Sequence, residues 1–416
     1  MAKMKLVFVA CVVVLLVAAS LTPAGAQTAK KVLYIGGTMS LTGPYAEDSA
    51  AVLAGFQDYV RYVNETKKMA PWRKERFPTD ITLELLWRDD ELQPAKALSI
   101  YEELKAKGIL VYRCSGSPIA LALKSRLMQD NMGATSMATG PYLLNPPQTV
   151  FSYYPLYTDS VAAIADWFKA NWKEKRKPRV AFLTSDNAMG KSIEIPEMRA
   201  YLDKLGYEFV GSQYVPLVAT SAPTTQLMWL KDKGVDLTLG VLINPNAQPI
   251  VKEMVRLGIG PFQKYKMTVG TATPGHIAVF ADAMGKLGDG YVCAGSYPNW
   301  DDQSIGVQFE KELQGKYHPT KFVRHIQYMG GMVEAMTQTE ALRLALLKTP
   351  YAKLTSKDVL INGFYQIKNL NTGGITPPLS YGPGLIEGVN KVRVDQLRDG
   401  KVVNVGNYPT RHIYTR

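Results

Sequence analysis

The chain has 416 residues, 46% hydrophobic and 20% charged, with a formal net charge of +12. That length allows two domains with substantial cores, and a mixed composition without low-complexity tracts excludes a fibrous or disordered chain. Three cysteines are too few for a disulfide framework, and four histidines without an H-E-x-x-H or similar spacing give no metal signal.

Lys3 and Lys5 precede an apolar run from Leu6 to Ala19, followed by Thr22-Pro23-Ala24-Gly25-Ala26. A basic start, a short apolar stretch and an A-x-A end describe a secretory signal peptide over 1–26, with the mature chain starting at Gln27. The run is short for a membrane span of roughly 20 residues. Cys11 lies inside it rather than at its end, which is not the place for a lipid-modified cysteine. Export to the periplasm is the expectation. It argues against nucleic acid as the reason for the basic balance and leaves an acidic ligand or anionic lipid.

From Lys31 onward, short apolar runs alternate with helix-period segments. Val32-Leu33-Tyr34-Ile35 predicts a buried strand, and Leu53, Phe56, Val60 and Val63 recur at helical spacing. Ile81 to Trp87 predicts a strand. Pro94 opens a helix whose buried stripe is Ala97, Ile100, Tyr101 and Leu104, and Gly108 ends it. Ile109 to Tyr112 is the next strand, and Ser117-Pro118 opens a helix with Ser117 as cap. A helix bearing Val161, Ile164, Phe168 and Trp172 runs into the basic stretch Lys173 to Arg179, a solvated helix ending. Further strands are expected at 179–184, 207–211, 235–243 and 266–270. The alternation gives an α/β fold of two doubly wound parallel sheets divided near 155, with the ligand crevice at the carboxyl ends of the strands.

Three motifs in those turns tempt a catalytic reading. Ser185 to Ser192 nearly matches G-x-x-x-x-G-K-[ST], but Ser185 stands where the first glycine belongs and an exported protein meets no ATP. Gly36-Gly37 lacks the G-x-G-x-x-G spacing. Ser115-Gly116-Ser117 lacks the G-x-S-x-G elbow and a histidine placed as a base. What remains is a binding constellation of Ser115, Ser117 and Thr139 as hydroxyl donors in turns, with a helix N-terminus suited to a carboxylate. Tyr45, Tyr142, Tyr153, Tyr154 and Tyr157 crowd the same turns, some as pocket walls and some as packing.

Ser40-Leu41-Thr42-Gly43-Pro44-Tyr45, Arg88-Asp89-Asp90 with Pro94 and Ala95, Cys114-Ser115-Gly116-Ser117 and Thr135 to Pro141 together resemble the branched-chain amino-acid-type periplasmic binding proteins of ABC importers. The resemblance runs through nearly all of the mature chain in element order. It implies two lobes joined by three crossovers near Tyr153–Leu156, Tyr297–Trp300 and Gly374–Leu379. The first lobe would be 27–155 plus 299–375 and the second 156–298 plus 376–416. A hinge would close them on a small-molecule ligand, and the closed form would dock on an inner-membrane ABC permease.

Carried over by position, the implied ligand-binding set is Tyr45, Ser115, Ser117, Met137, Ala138, Thr139, Tyr157, Met189 and Thr271. Ser115 would meet the ligand carboxylate. The acid that holds an α-amino group in such proteins should fall near Thr271-Ala272-Thr273, where no acid stands. A buried ammonium without a carboxylate partner costs several kcal/mol. Either Asp48 substitutes or the ligand is a carboxylate or amide without that amine. The resemblance calls for no cofactor, metal or nucleic acid, and no catalysis. The alternatives are a ligand sensor for a receptor kinase and an exported α/β hydrolase with Ser115 as nucleophile. Cys114 and Cys293 fall on opposite lobes and are expected as two thiols.

Overall fold

The computed structural model describes residues 31–143, 149–218, 221–272, 277–295, 297–320 and 325–414. The expected signal peptide, Thr273 and His276 lie outside them. The first sheet is built from β1 (Lys31–Met39), α1 (Ala46–Thr66), β2 (Ile81–Asp89), α2 (Pro94–Ala106), β3 (Ile109–Cys114), α3 (Ser117–Gln129), β4 (Ala134–Ser136) and β5 (Val150–Ser152). Its order is β2-β1-β3-β4-β5, parallel throughout. Runs such as Ile35 and Val111, buried on both faces, are what a sheet covered by helices on each side demands. The N-terminal flank of α3 is Gly116 and Ser117 is its first helical residue, so the capping expected of Ser117 is not made.

The second sheet begins after α4 (Tyr157–Asn171) with β6 (Arg179–Ser185), α5 (Pro196–Lys204), β7 (Glu208–Val215), α6 (Thr224–Asp232), β8 (Leu237–Val241), α7 (Asn244–Arg256), β9 (Thr268–Ala272), α8 (Ile277–Met284) and β10 (Val292–Gly295). The chain then returns to the first core with α9 (Ile305–Tyr317), α10 (Gln327–Leu346) and α11 (Ser356–Asn362). It closes in the second sheet with β11 (Lys391–Arg398) and β12 (Lys401–Pro409), giving the order β12-β11-β10-β9-β8-β6-β7. Two doubly wound α/β lobes thus share three crossovers. The parallel reading fails at one edge, because β11 runs antiparallel to β10 and to β12. A two-residue connection, Asp399-Gly400 with both residues at positive φ, makes that hairpin possible.

At the first crossover, Tyr153, Tyr154 and Leu156 belong to the first core and Tyr157 to the second. The third falls later than Gly374–Leu379. Leu379, Tyr381, Ile386 and Val389 are buried in the first core, Ser152 N donates to the Ile386 carbonyl at 2.8 Å, and Tyr381 Oη donates to the Ser152 carbonyl at 3.0 Å. Residues 376–389 therefore pack with the first lobe, and the crossing lies just before β11.

The loop 71–78 has a structural role. Trp72 Nε1 donates to the Asn371 carbonyl, its ring meets Phe309 edge-on at 5.5 Å, and Arg73 pairs with Glu340 at 3.0 Å. The basic run is likewise structural: Arg176 grips both Asp236 oxygens at 2.7 Å, and Arg179 meets Glu208 at 3.0 Å.

Glu310 on α9 is fully buried, with Oε2 lacking a hydrogen-bond partner and Gln314 donating to Oε1. Burial pushes its carboxyl up to about 8. A carboxyl raised in this way keeps its proton in the folded state, so its destabilising effect grows as pH rises from the ordinary glutamate value toward 8 and is complete above that. Glu310→Gln is expected to stabilise the protein above pH 8 and to flatten stability between pH 5 and 8. Each unit of the shift corresponds to about 1.4 kcal/mol. Urea unfolding at pH 6 and 8.5 checks this, and an equal effect at both pH values would sink it.

Candidate functional site

The order β2-β1-β3 reverses direction at β1 and β3, so the turns after these strands flank the topological switch point. Those turns carry Ser40 and Ser115. In the second sheet the reversal lies at β6 and β8, which brings the turn with Met189 to the same cleft. A cavity there is lined by Tyr45, Asp48, Ser49, Ser115, Gly116, Ser117, Met137, Ala138, Tyr157 and Met189, with a volume of about 20 Å³. Seven of the nine residues expected at the site are among these walls. Tyr45 Oη reaches Met189 Sδ at 3.4 Å, a contact between the two lobes across the cleft.

Two expected residues stand elsewhere. Thr271 is buried on β9, where its hydroxyl accepts from Leu242 N at 2.9 Å and donates to the Ala272 carbonyl at 3.1 Å. Its role is to join strand ends. Thr139 lies one residue beyond the wall, its carbonyl accepting from Tyr157 N at 3.1 Å. The hydroxyls of Ser117 and Thr139 both neighbour that of Tyr157. Thr139 Oγ1 and Tyr142 Oη are buried with no hydrogen-bond partner of good geometry. Burial pushes the Tyr45 and Tyr142 hydroxyls well above the ordinary tyrosine range and raises that of Tyr157, so all three keep a proton to donate. This corner sits on the N-terminus of the 13-residue α3, where the first helical bond runs from Ala120 N to the Gly116 carbonyl. Neutral donors on a helix N-terminus favour an anionic or strongly accepting group.

Ser115 is held differently from the expectation. Its hydroxyl donates to Asp90 Oδ2 in a short hydrogen bond, and Ser40 donates to Asp90 Oδ1 at 2.7 Å with its oxygen 3.1 Å from Ser115 Oγ. Asp90 is fully buried, and Leu92 N adds a third donor at 2.9 Å. With its proton committed to Asp90, the Ser115 oxygen faces the cleft as an acceptor. Ser115 therefore does not serve as a hydroxyl donor to a ligand carboxylate while this network stands. Asp90 is the residue that sequence reasoning missed. Its signal was the pair Asp89-Asp90 at the end of a strand, beside strand ends that carry Ser40 and Ser115.

The remaining tyrosines divide as a packing role requires. Tyr153 donates to Glu334 Oε1 at 2.6 Å, and Tyr154 packs against Tyr297 at 4.5 Å between centroids, both within the crossovers. Asp48, on the cavity wall, pairs with the buried His325 at 3.1 Å. The near phosphate loop is a tight turn: Asn187 Oδ1 accepts from Gly190 N at 2.9 Å, and a Cβ on Gly190 would lie 1.9 Å from the Ser185 carbonyl oxygen. Cys114 and Cys293 are buried thiols in different sheets, with no disulfide between them. Among the described residues no helix is long and apolar enough to cross a membrane.

The model of a family described as periplasmic binding protein matches residues 32–379. Solved structures share the fold. A branched-chain amino-acid ABC transporter protein from Thermus thermophilus with bound valine superposes with a TM-score of 0.78 at 21% identity, covering 91% of this chain and 96% of its own. A fatty-acid ABC transporter substrate-binding protein from Thermomonospora curvata gives 0.75 at 18%, over 92% and 94%. A solute-binding protein from Rhodopseudomonas palustris HaA2 in complex with p-hydroxybenzoic acid gives 0.72 at 17%, over 92% and 99%. No curated protein gives a significant sequence match.

Proposed function

From the premise that this chain belongs to the periplasmic binding protein family, we propose that it is the exported solute-binding component of an ABC importer, and that it holds a small carboxylate or amide between its lobes. The observation that carries this reading is the convergence on the N-terminus of α3 of the Ser117, Tyr157, Thr139 and Tyr142 hydroxyls, the last two buried without a hydrogen-bond partner of good geometry. Buried polar groups without partners are costly, and a ligand that accepts from them recovers the cost. Tyr45, Met137 and Met189 supply the apolar and aromatic walls that such a ligand needs.

The cavity has room for about one water molecule and for no larger guest. Ligand entry therefore requires the lobes to part, with the crossovers as the hinge and the Tyr45–Met189 contact as the latch. On this reading the mature chain starts at Gln27, the first lobe is 27–155 plus 299–389 and the second is 156–298 plus 390–416. The closed form presents both lobes to an inner-membrane permease in the periplasm. The buried Ser115–Asp90–Ser40 network includes no histidine, which supports binding without turnover.

Asp48 favours a second reading, in which the ligand is an α-amino acid whose ammonium it meets. A thermal-unfolding screen of the purified chain against amino acids, aliphatic and aromatic carboxylates, and amides separates the two. A compound at about 100 times its Kd stabilises by roughly 2.7 kcal/mol, a readable shift of the midpoint. Midpoint shifts from carboxylates or amides that persist in Asp48→Asn support the proposal. Shifts confined to amino acids and lost in Asp48→Asn overturn the ligand class. No shift from any compound in a folded sample counts against binding altogether.

A further inference from the structure

Away from the cleft, the fold gathers three ligand-type side chains from distant segments. Asp159 lies in the first turn of α4, just after the first crossover; Glu387 lies just before the third, and His412 in the C-terminal tail. One ligand atom from each lies within 4.8 Å of the other two. Asp159 and Glu387 are buried and His412 is exposed. No sequence motif announces the group, since its members share no helix or turn.

The arrangement has an unfilled half. Asp159 Oδ1 accepts two backbone N–H groups, from Arg411 at 2.6 Å and His412 at 2.7 Å. Its other oxygen, Oδ2, is buried without a hydrogen-bond partner on a side chain that is fully enclosed. Glu387 Oε1 accepts from Leu156 N at 3.2 Å, while Oε2 faces His412 Nδ1 at 3.5 Å. The Asp159 and Glu387 carboxylates are both buried and lie side by side, so they repel. Such a pair is stable only when a cation or a proton stands between its members.

We propose that Asp159, Glu387 and His412 bind one divalent transition ion, Zn²⁺ by the chemistry of the donors. One imidazole with two carboxylates is a borderline-soft oxygen and nitrogen set, which suits zinc over magnesium or calcium. A Zn²⁺ ion at about 2.0–2.2 Å from each donor needs the three to draw together by roughly 1 Å. His412 is exposed, with Nε2 3.2 Å from Thr410 Oγ1 and Nδ1 already turned toward Glu387, and water would complete the coordination. The ion would tie the tail and the last residues of the first lobe to the first turn of α4. Those are segments on either side of two crossovers, so occupancy would bias opening of the cleft. This site does not depend on the identity of the cleft ligand.

The test uses the purified chain without a histidine tag, stripped with chelator and titrated with ZnCl2 by isothermal calorimetry. One Zn²⁺ per chain is expected, with affinity reduced at least tenfold in His412→Ala and in Glu387→Gln. His412 is exposed, so its variant reports on the metal rather than on folding. Absence of saturable binding overturns the proposal. So does one-to-one binding unchanged in His412→Ala, or the same heat from MgCl2 as from ZnCl2. Cleft ligands are left out of this titration, so its failure leaves the binding-protein reading standing.

Discussion

Glu334→Ala is expected to cost about 3–5 kcal/mol of stability and to lower the unfolding midpoint by on the order of 10 °C. Glu334 on α10 and Arg113 on β3 form a pair whose side chains are both fully buried, Nε to Oε2 at 2.8 Å. The angle at Nε is too poor for a hydrogen bond, so the contact is one of charge. Hydrogen bonds come from elsewhere: Tyr153 at 2.6 Å and Thr135 at 3.1 Å donate to Glu334, and Arg113 Nη1 donates to the Thr38 carbonyl at 2.8 Å. Removing one member leaves the other charge without compensation in a medium that solvates it poorly. Removing both, as in Arg113→Met with Glu334→Leu, is expected to recover most of the loss. Urea or thermal unfolding of the three variants checks this. A double variant as unstable as Glu334→Ala would show that the lost hydrogen bonds and packing, and not the unpaired charge, set the cost.

Tyr157→Phe is expected to do the opposite, leaving the empty protein as stable as before while weakening ligand binding by roughly 10–100-fold. A hydrogen bond to a charged group contributes about 1.5–3 kcal/mol, which is that range in Kd. Its hydroxyl lies in a cluster with those of Ser117 and Thr139, which can bond to each other when it goes, so folding loses little. The measurement is the Kd of whichever compound the thermal screen identifies, set beside the midpoint of the ligand-free variant. Unchanged affinity would remove Tyr157 from the binding set and move the polar anchor toward Asp48 and Ser49.

Much of this was legible in the chain itself. The alternation of apolar runs with helix-period segments located β1, β2, β3, β6, β8 and β9 within a few residues, because strands covered on both faces tolerate little else. From that alternation, handedness and the carboxyl-end rule placed the cleft, so seven of nine expected site residues line one cavity. Where the reading failed, distance along the chain was the cause. Thr271, expected in the turn after a strand, lies within β9, where its hydroxyl is consumed by Leu242 N from the neighbouring strand's end and by the Ala272 carbonyl. The third crossover slipped because Tyr381 and Ile386 are chosen by a core formed from residues more than two hundred positions earlier.

The sequence by itself determined the fold class, the crevice and its serine- and tyrosine-rich walls, since these follow from periodicity and from turn chemistry next to strands. Only the tertiary structure decided which hydroxyls were already spoken for. Asp90 accepts the Ser115 hydrogen bond because parallel pairing sets β1 between β2 and β3 and brings their ends together, and Asp159, Glu387 and His412 meet because three separate segments converge beside the hinge. Hydrogen bonds and metal ligation act over about 3 Å in space and take no account of separation in sequence, so only packing fixes which groups find each other.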